Sequence, residues 1–305
     1  MIVIPGRTLL AAIKKKLPLF IALALILALA GVFFLRSPVL VVTDASFYQL
    51  YGSRRFTLGL AGNSLRVFRR FIPVSVSEQA GPDIIALVAE GASPSPHAVL
   101  FPLRYLEAAR LYHAQRPEVP VLVMWGRNPL PQAHLQDGGL LFVRTDTAAD
   151  LYRAGLSAAV FAGEGEGVLF FTDGTLQDEY REAFDRGLRN QGFSGEPLYL
   201  PAFLDHISYY DIGCVVVAGP AARFLEQNLC IPVILFSWID PARTPGAVKM
   251  LFNDSPLAQA AGALRAFSPG GGEVFLPSRA RVLSGRIEER GDVRKLRGLI
   301  RNPAR

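Results

Sequence analysis

Cysteine is scarce: Cys214 and Cys230 are the only two among 305 residues, and they form no Cys-x-x-Cys pair. The four histidines, His97, His113, His134 and His206, fall in separate segments, so no zinc-ligand spacing can be assembled. Cys214 lies inside the apolar run "IGCVVVAG" and Cys230 closes "FLEQNLC". Two small hydrophobes in a core account for them better than a disulfide does. The phosphate-cradling patterns GxGxxG and GxxxxGK[ST] are also missing. "AGEGEG" at 162–167 precedes a strand-like run, so it cannot place backbone amides at a helix start. There is no GxSxG elbow, no nucleophile is paired with a base, and Asp205-His206 reads as a solvated loop dipeptide. These absences argue against an enzyme and against a bound cofactor.

The formal net charge of +6 would ordinarily point to nucleic acid, but the positive charge sits at the ends. Arg7, Lys14, Lys15 and Lys16 lie at the start, and nine basic residues against three acidic ones follow Ser278. The body from Ser37 to Ser278 holds eighteen basic and twenty-three acidic residues, a net −5, so no nucleic-acid partner is expected. The tail "RIEERGDVRKLRGLIRNPAR" reads as a solvated or frayed terminus, or as a segment lying on anionic headgroups.

One long uncharged run is present. Residues 17–35, "LPLFIALALILALAGVFFL", carry no charge, and about 20 apolar residues suffice to cross a bilayer. The basic flank before it and the lone Arg36 after it leave the N-terminus in the cytoplasm and the rest outside. An uncleaved anchor is the favoured reading. A cleaved signal is the second, with "ALA" at 28–30 as the cleavage site. "LAGV" at 29–32 has the outline of a lipoprotein box, but Val32 stands where the lipid-bearing cysteine would be needed.

Beyond the anchor, apolar runs alternate with amphipathic stretches. The runs 38–42, 72–77, 83–90 and 119–126 read as strands, and 55–71, with a break at Gly62, and 103–117 read as helices. The second half repeats this with strands at "GVLFFTD", "EPLYLP", "DIGCVVVAG" and "IPVILFSW", and helices at 176–191 and "PAARFLEQNLC". Strands separated by helices imply βαβ units and parallel sheets, and about 270 residues call for two lobes.

Residues 145–193, ending "DEYREAFDRGLRNQGF", resemble the second lobe of the type I periplasmic binding proteins. Ala183, Phe184, Gly187, Leu188 and Gly192 take the places of that family's helix signature, and Tyr180 with Gly187 is similar to the basic membrane protein branch. "YDIGCVVVAGPAARFLEQ", "CIPVILFSWID" and, as a return helix, "AVKMLFNDSPLAQAAGALRAF" (247–267) extend the resemblance over most of 38–285. It implies an α/β fold of two Rossmann-like lobes with parallel sheets after one N-terminal transmembrane helix. Residues 1–16 are then a cytoplasmic basic segment and 17–36 the anchor or signal. Lobe 1 takes 37–142 plus about 241–268, lobe 2 takes 143–240 plus about 272–285, and 286–305 is the basic tail. The resemblance further implies a small-molecule ligand, nucleoside-like in that branch, and an ABC permease or membrane sensor as partner. Sugar-binding relatives carry an Arg where Asp178 stands and an Asp where 125–127 reads Trp-Gly-Arg, so a sugar fits poorly.

Ligands of open parallel sheets bind beyond the carboxyl ends of strands. Those ends offer Asp44, Phe47 and Tyr48 after the first strand and Trp125 and Arg127 after the fourth. The second lobe offers Asp173, Gly219, Trp238 and Asp240. Aromatic rings there suit stacking on a planar base. Helix packing accounts equally for Phe47 and Tyr48, and helix capping for Asp44 and Asp173. Helix starts facing the cleft offer free amides to a phosphate or carboxylate instead. The expected protein is a membrane-tethered solute-binding protein outside the cytoplasm. An interaction module with a degraded cleft is the alternative.

Overall fold

The structure, a computed structural model, describes residues 6–127, 138–172, 176–200, 211–218, 230–237, 241–267 and 271–301, with side chains from residue 19 onward except residue 50. The chain begins with α1 (Gly6–Leu35), β1 (Val39–Thr43), α2 (Ala45–Tyr51), α3 (Ser53–Val67), β2 (Phe71–Ser75) and α4 (Pro82–Gly91). It continues with β3 (Ala98–Pro102), α5 (Leu106–Gln115), β4 (Val121–Gly126), β5 (Leu140–Thr145), α6 (Thr147–Phe161), β6 (Gly167–Phe171) and α7 (Asp178–Asn190). Then come β7 (Leu198–Leu200), β8 (Ile212–Val217), β9 (Val233–Phe236), β10 (Val248–Asn253), α8 (Pro256–Ala266), β11 (Gly272–Leu276), β12 (Arg279–Val282) and α9 (Arg290–Arg301).

Two six-stranded sheets result, ordered β11-β5-β4-β3-β1-β2 and β12-β10-β9-β8-β6-β7. Among the described residues all pairings are parallel except β10 with β12. β1 is buried at every position, as a parallel strand covered on both faces must be. Its alternate residues serve opposite cores: Leu40 and Val42 pack with residues of α4 and α5, and Val39 and Val41 with residues of α2, α3 and α8. In the second sheet Phe170, Val216, Ile234 and Phe252 pack with residues of α6, α7 and α9, while Leu169, Val215 and Leu235 form the opposite core.

α6 and α7 touch through glycines. A Cβ on Gly155 would sit 2.2 Å from the Phe184 carbonyl oxygen, and one on Gly187 would sit 2.2 Å from that of Tyr152. Only hydrogen at both positions lets the backbones approach so closely. The Gly187 of the sequence signature is therefore a packing requirement.

Several sequence expectations change. Residues 83–90 are not a strand but the body of α4. Pro82 sits at its first turn with Asp83 beside it, and the buried residues Ile85, Ala86 and Ala89 recur at helical spacing. Its apolar run is continuous because Ile84, Leu87 and Val88 are exposed on the other side. Residues 247–267 divide into β10, in the second sheet, and α8, packed on the first. α3 passes through Gly62 unbroken and stops at Phe68, which takes a left-handed φ of 53°. The basic tail is not frayed over 290–301: α9 buries Leu296 completely and rests on α6 and β12. Both cysteines are free, with Cys214 in the core and Cys230 exposed instead of buried. The expected helix at 220–230 falls, but for Cys230, outside the described residues.

The expected membrane span at 17–36 falls partly outside the described side chains, and among the described residues no helix is long and apolar enough to cross a membrane. The described part of α1 stands clear of both cores, with Leu19 70%, Phe20 62% and Leu35 88% exposed. Phe33 meets the Phe68 ring at 5.5 Å, and Arg36 lies over the same ring at 5.2 Å.

Replacing Gly187 by alanine is expected to cost about 1–3 kcal/mol through overpacking of α6 on α7, read as a lowered denaturation midpoint. Alanine at Gly62, where an added Cβ meets nothing within 4 Å, should leave the midpoint unchanged or raise it slightly.

Candidate functional site

The chain passes between the sheets three times: from β5 to α6 and β6, from β10 to α8 and β11, and from β11 to β12. Polar side chains stitch these crossings together. The Asp146 N–H donates to Leu276 O at 2.9 Å while its carboxylate caps α6 at Ala149 N. Gln259 of α8 donates from Nε2 to Thr145 Oγ1 and to Leu276 O, both at 3.1 Å, joining the first and third crossings. Ser255 caps α8 through Ala258 N.

At the centre lies Asp150, completely buried in α6. Its carboxylate accepts the Ser278 N–H at 2.9 and 3.2 Å and a charge-assisted bond from Arg153, which also donates to Ser278 O at 3.0 Å. Burial pushes the Asp150 carboxyl above the usual carboxylate range, against the opposing pull of Arg153, Ser278 and Arg127. Arg127 reaches in from the end of β4. Its guanidinium pairs with Asp254 at 3.1 Å, approaches Asp150 at 3.9 Å and lies 4.5 Å from the Phe236 ring centre.

Beside these crossings a cavity of about 450 Å³ opens at the carboxyl ends of β1, β3 and β4. Phe47, Arg104, Met124, Trp125 and Arg127 line it from the first lobe, and Asp254, Ser255 and Pro256 from the second crossing. Three of the residues singled out in the sequence thus meet there: Phe47, Trp125 and Arg127. Trp125 is 6% exposed and rests edge-on against Phe142 at 5.6 Å. Phe47 stacks on Tyr51 within the core and shows the cavity little of its ring.

Asp44 and Tyr48 are placed otherwise. Asp44 accepts from Ser46 N at 2.8 Å, Ser46 Oγ at 2.6 Å and Tyr105 Oη at 2.6 Å, and it pairs with Arg104. Its capping role therefore occupies the carboxylate. Tyr48 turns toward Phe56 at 4.7 Å and does not line the cavity. Asp173, Gly219, Trp238 and Asp240 lie outside the described residues.

The sequence reading missed Arg104, as it missed Asp254 and Ser255. Reading 83–90 as the strand hid β3, and with it the strand end that presents Pro102, Leu103 and Arg104. The signal was in "AVLFP", a short apolar run closed by proline. The Arg104 guanidinium lies 5.8 Å from the Phe47 ring centre and 5.0 Å from that of Tyr105, and it donates to Ser46 Oγ at 2.8 Å. With 40% of its side chain exposed it retains donors for a ligand, whereas Arg127 is largely engaged by the crossings. The described lining of the cavity thus combines two guanidiniums and the Asp254 carboxylate with an apolar wall, and among the described residues neither histidine nor cysteine lines it.

Removing the Asp150 carboxylate leaves Arg153 buried without its counter-ion. Asp150→Ala is expected to cost about 3–5 kcal/mol, read from chemical denaturation.

No protein-family model and no curated protein sequence matches the chain. Solved structures do. A transcriptional activator of the comK gene from Bacillus halodurans superposes with a TM-score of 0.55 at 10% identity, over 88% of this chain and 97% of that one. An ABC transporter system solute-binding protein from Conexibacter woesei DSM 14684 gives 0.53 at 13% identity, over 88% and 96%. At such identities the likeness concerns architecture alone: two parallel-dominated α/β sheets joined by three crossings, the type I periplasmic binding protein fold.

Proposed function

We propose that this protein is a membrane-tethered solute-binding protein facing the extracytoplasmic space, and that its two lobes close on a small molecule. The observation that carries the reading is the cavity at the ends of β1, β3 and β4, bordered by the crossing that a lobe movement would bend. The Trp125 edge and the Phe47–Arg104 pair suit a flat, partly apolar ligand, and Arg104 requires acceptor atoms on it. A nucleoside-like compound meets both requirements. A permease complex or membrane sensor would then read the closed state.

Tethering rests on the uncharged run of α1 and on the exposure of its described side chains. Such an apolar surface in water is a liability that lipid removes. The body's net −5 makes a nucleic-acid partner a poor fit to the same reading.

The test is thermal melting of the full-length chain in detergent against nucleosides, bases, sugars and amino acids. A ligand present at a hundredfold its dissociation constant stabilises the folded state by about 2.7 kcal/mol. The expected outcome is a rise in melting temperature with nucleosides that Arg104→Ala and Trp125→Leu abolish. A flat response to every class, from protein that melts cooperatively, would leave the interaction-module reading. The chain is also expected to stay in the membrane fraction through high-salt and alkaline washes, and deletion of residues 1–36 should release it.

A further inference from the structure

A second cavity, of about 680 Å³, lies across the middle crossing from the first, and Ser255 lines both. Its walls come from different lobes: α3 on one side, β10 and β12 on the other. Each wall aligns a pair of arginines. Arg55 and Arg66 are eleven residues apart on α3, close to three full turns, and so share one helix face. Arg279 and Arg281 are two apart on β12 and point to the same side of the sheet. All four line the cavity, and among the described residues no carboxylate does.

Arg55 and Arg66 lie in the body of net −5, and Arg279 and Arg281 open the basic stretch that follows it. Among the described residues Arg66, Arg279 and Arg281 make no ion pair, and the crowding is felt: burial, Arg66 and Arg281 together hold the Arg279 guanidinium below its ordinary range. Gly59 and Gly62 lie on α3 between its two arginines, and nothing stands within 4 Å of where a Gly62 side chain would begin. The space between the guanidiniums is therefore open, with Asn63, Asn253 and Ser255 also lining it.

We infer that this cavity is a binding site for a phosphate-bearing anion of multiple charge, gripped between the lobes by Arg55 and Arg66 from one side and Arg279 and Arg281 from the other. Guanidiniums match phosphate oxygens in geometry as well as charge, and four of them around one opening suit a diphosphate better than a single carboxylate. The same chemistry is offered by a soluble diphosphate and by a phosphomonoester headgroup. The site stands independently of what occupies the first cavity.

Calorimetric titration of full-length protein in detergent with inorganic pyrophosphate tests the assignment, and short-chain phosphatidic acid in the same micelles forms a second arm. Pyrophosphate is expected to bind with one site per chain. Arg279→Gln/Arg281→Gln should weaken it at least tenfold, while the charge-matched Arg54→Gln/Arg290→Gln pair, outside the cavity, should change it less than twofold. Tighter binding of phosphatidic acid than of pyrophosphate would assign the site to a headgroup, and the reverse order to a soluble anion. No binding of either probe at millimolar concentration would overturn the inference. Equal weakening by both variant pairs would overturn it as well, because the attraction would then be general. Unchanged thermal melting of the Arg279/Arg281 variant separates lost binding from lost folding.

Discussion

One buried carboxylate ties the lobes together. Asp150 belongs to the second lobe's α6, yet it holds the backbone N–H of Ser278 in the third crossing and faces Arg127 from the first lobe's β4. Three crossings without such ties would be three independent flexible strands. With the ties, the crossings are held to one another. A buried ion pair of this kind is weak evidence for stability, because desolvation offsets most of the attraction. Its effect is to define geometry: Arg153 and Ser278 N–H fix the carboxylate, and the carboxylate fixes where β12 departs from β11.

The same economy shapes the cleft. Asp44 spends its oxygens on Ser46, Tyr105 and Arg104, so its effect on any ligand is indirect, through the position of the Arg104 guanidinium. Arg127 divides its charge between Asp254 and Asp150. What the described lining of the cleft offers is thus donors already oriented by acceptor carboxylates. Such preorganisation limits the ordering cost of binding.

The alternation of strands and helices, the parallel sheets and the two lobes were legible in the sequence because doubly covered strands such as β1, β4 and β8 are continuously apolar. That criterion also misled. α4 is apolar on both its buried and its exposed sides, so composition could not separate it from a strand, although Pro82 and the spacing of Ile85, Ala86 and Ala89 could. Losing β3 to that misreading concealed Arg104. That Trp125 and Arg127 line the cavity was foreseeable because both sit at a strand end. The engagements of Arg127 were not legible, since Asp150, Asp254 and Phe236 come from other elements of the chain. Nor could spacing alone show that Arg279 and Arg281 face Arg55 and Arg66, because only the third crossing brings β12 beside α3.

The order in which the crossings occur governs how the molecule can assemble. The first sheet's inner face, which holds Val39, Leu100 and Leu122, is covered partly by α8, and its edge is completed by β11, more than 120 residues beyond β5. The second sheet waits in turn for β12. Neither lobe has a complete core until β11 and β12 have been made. Most of the chain must therefore emerge from the ribosome with apolar surface still open, and the long-range pairings that close it are of the kind that form slowly.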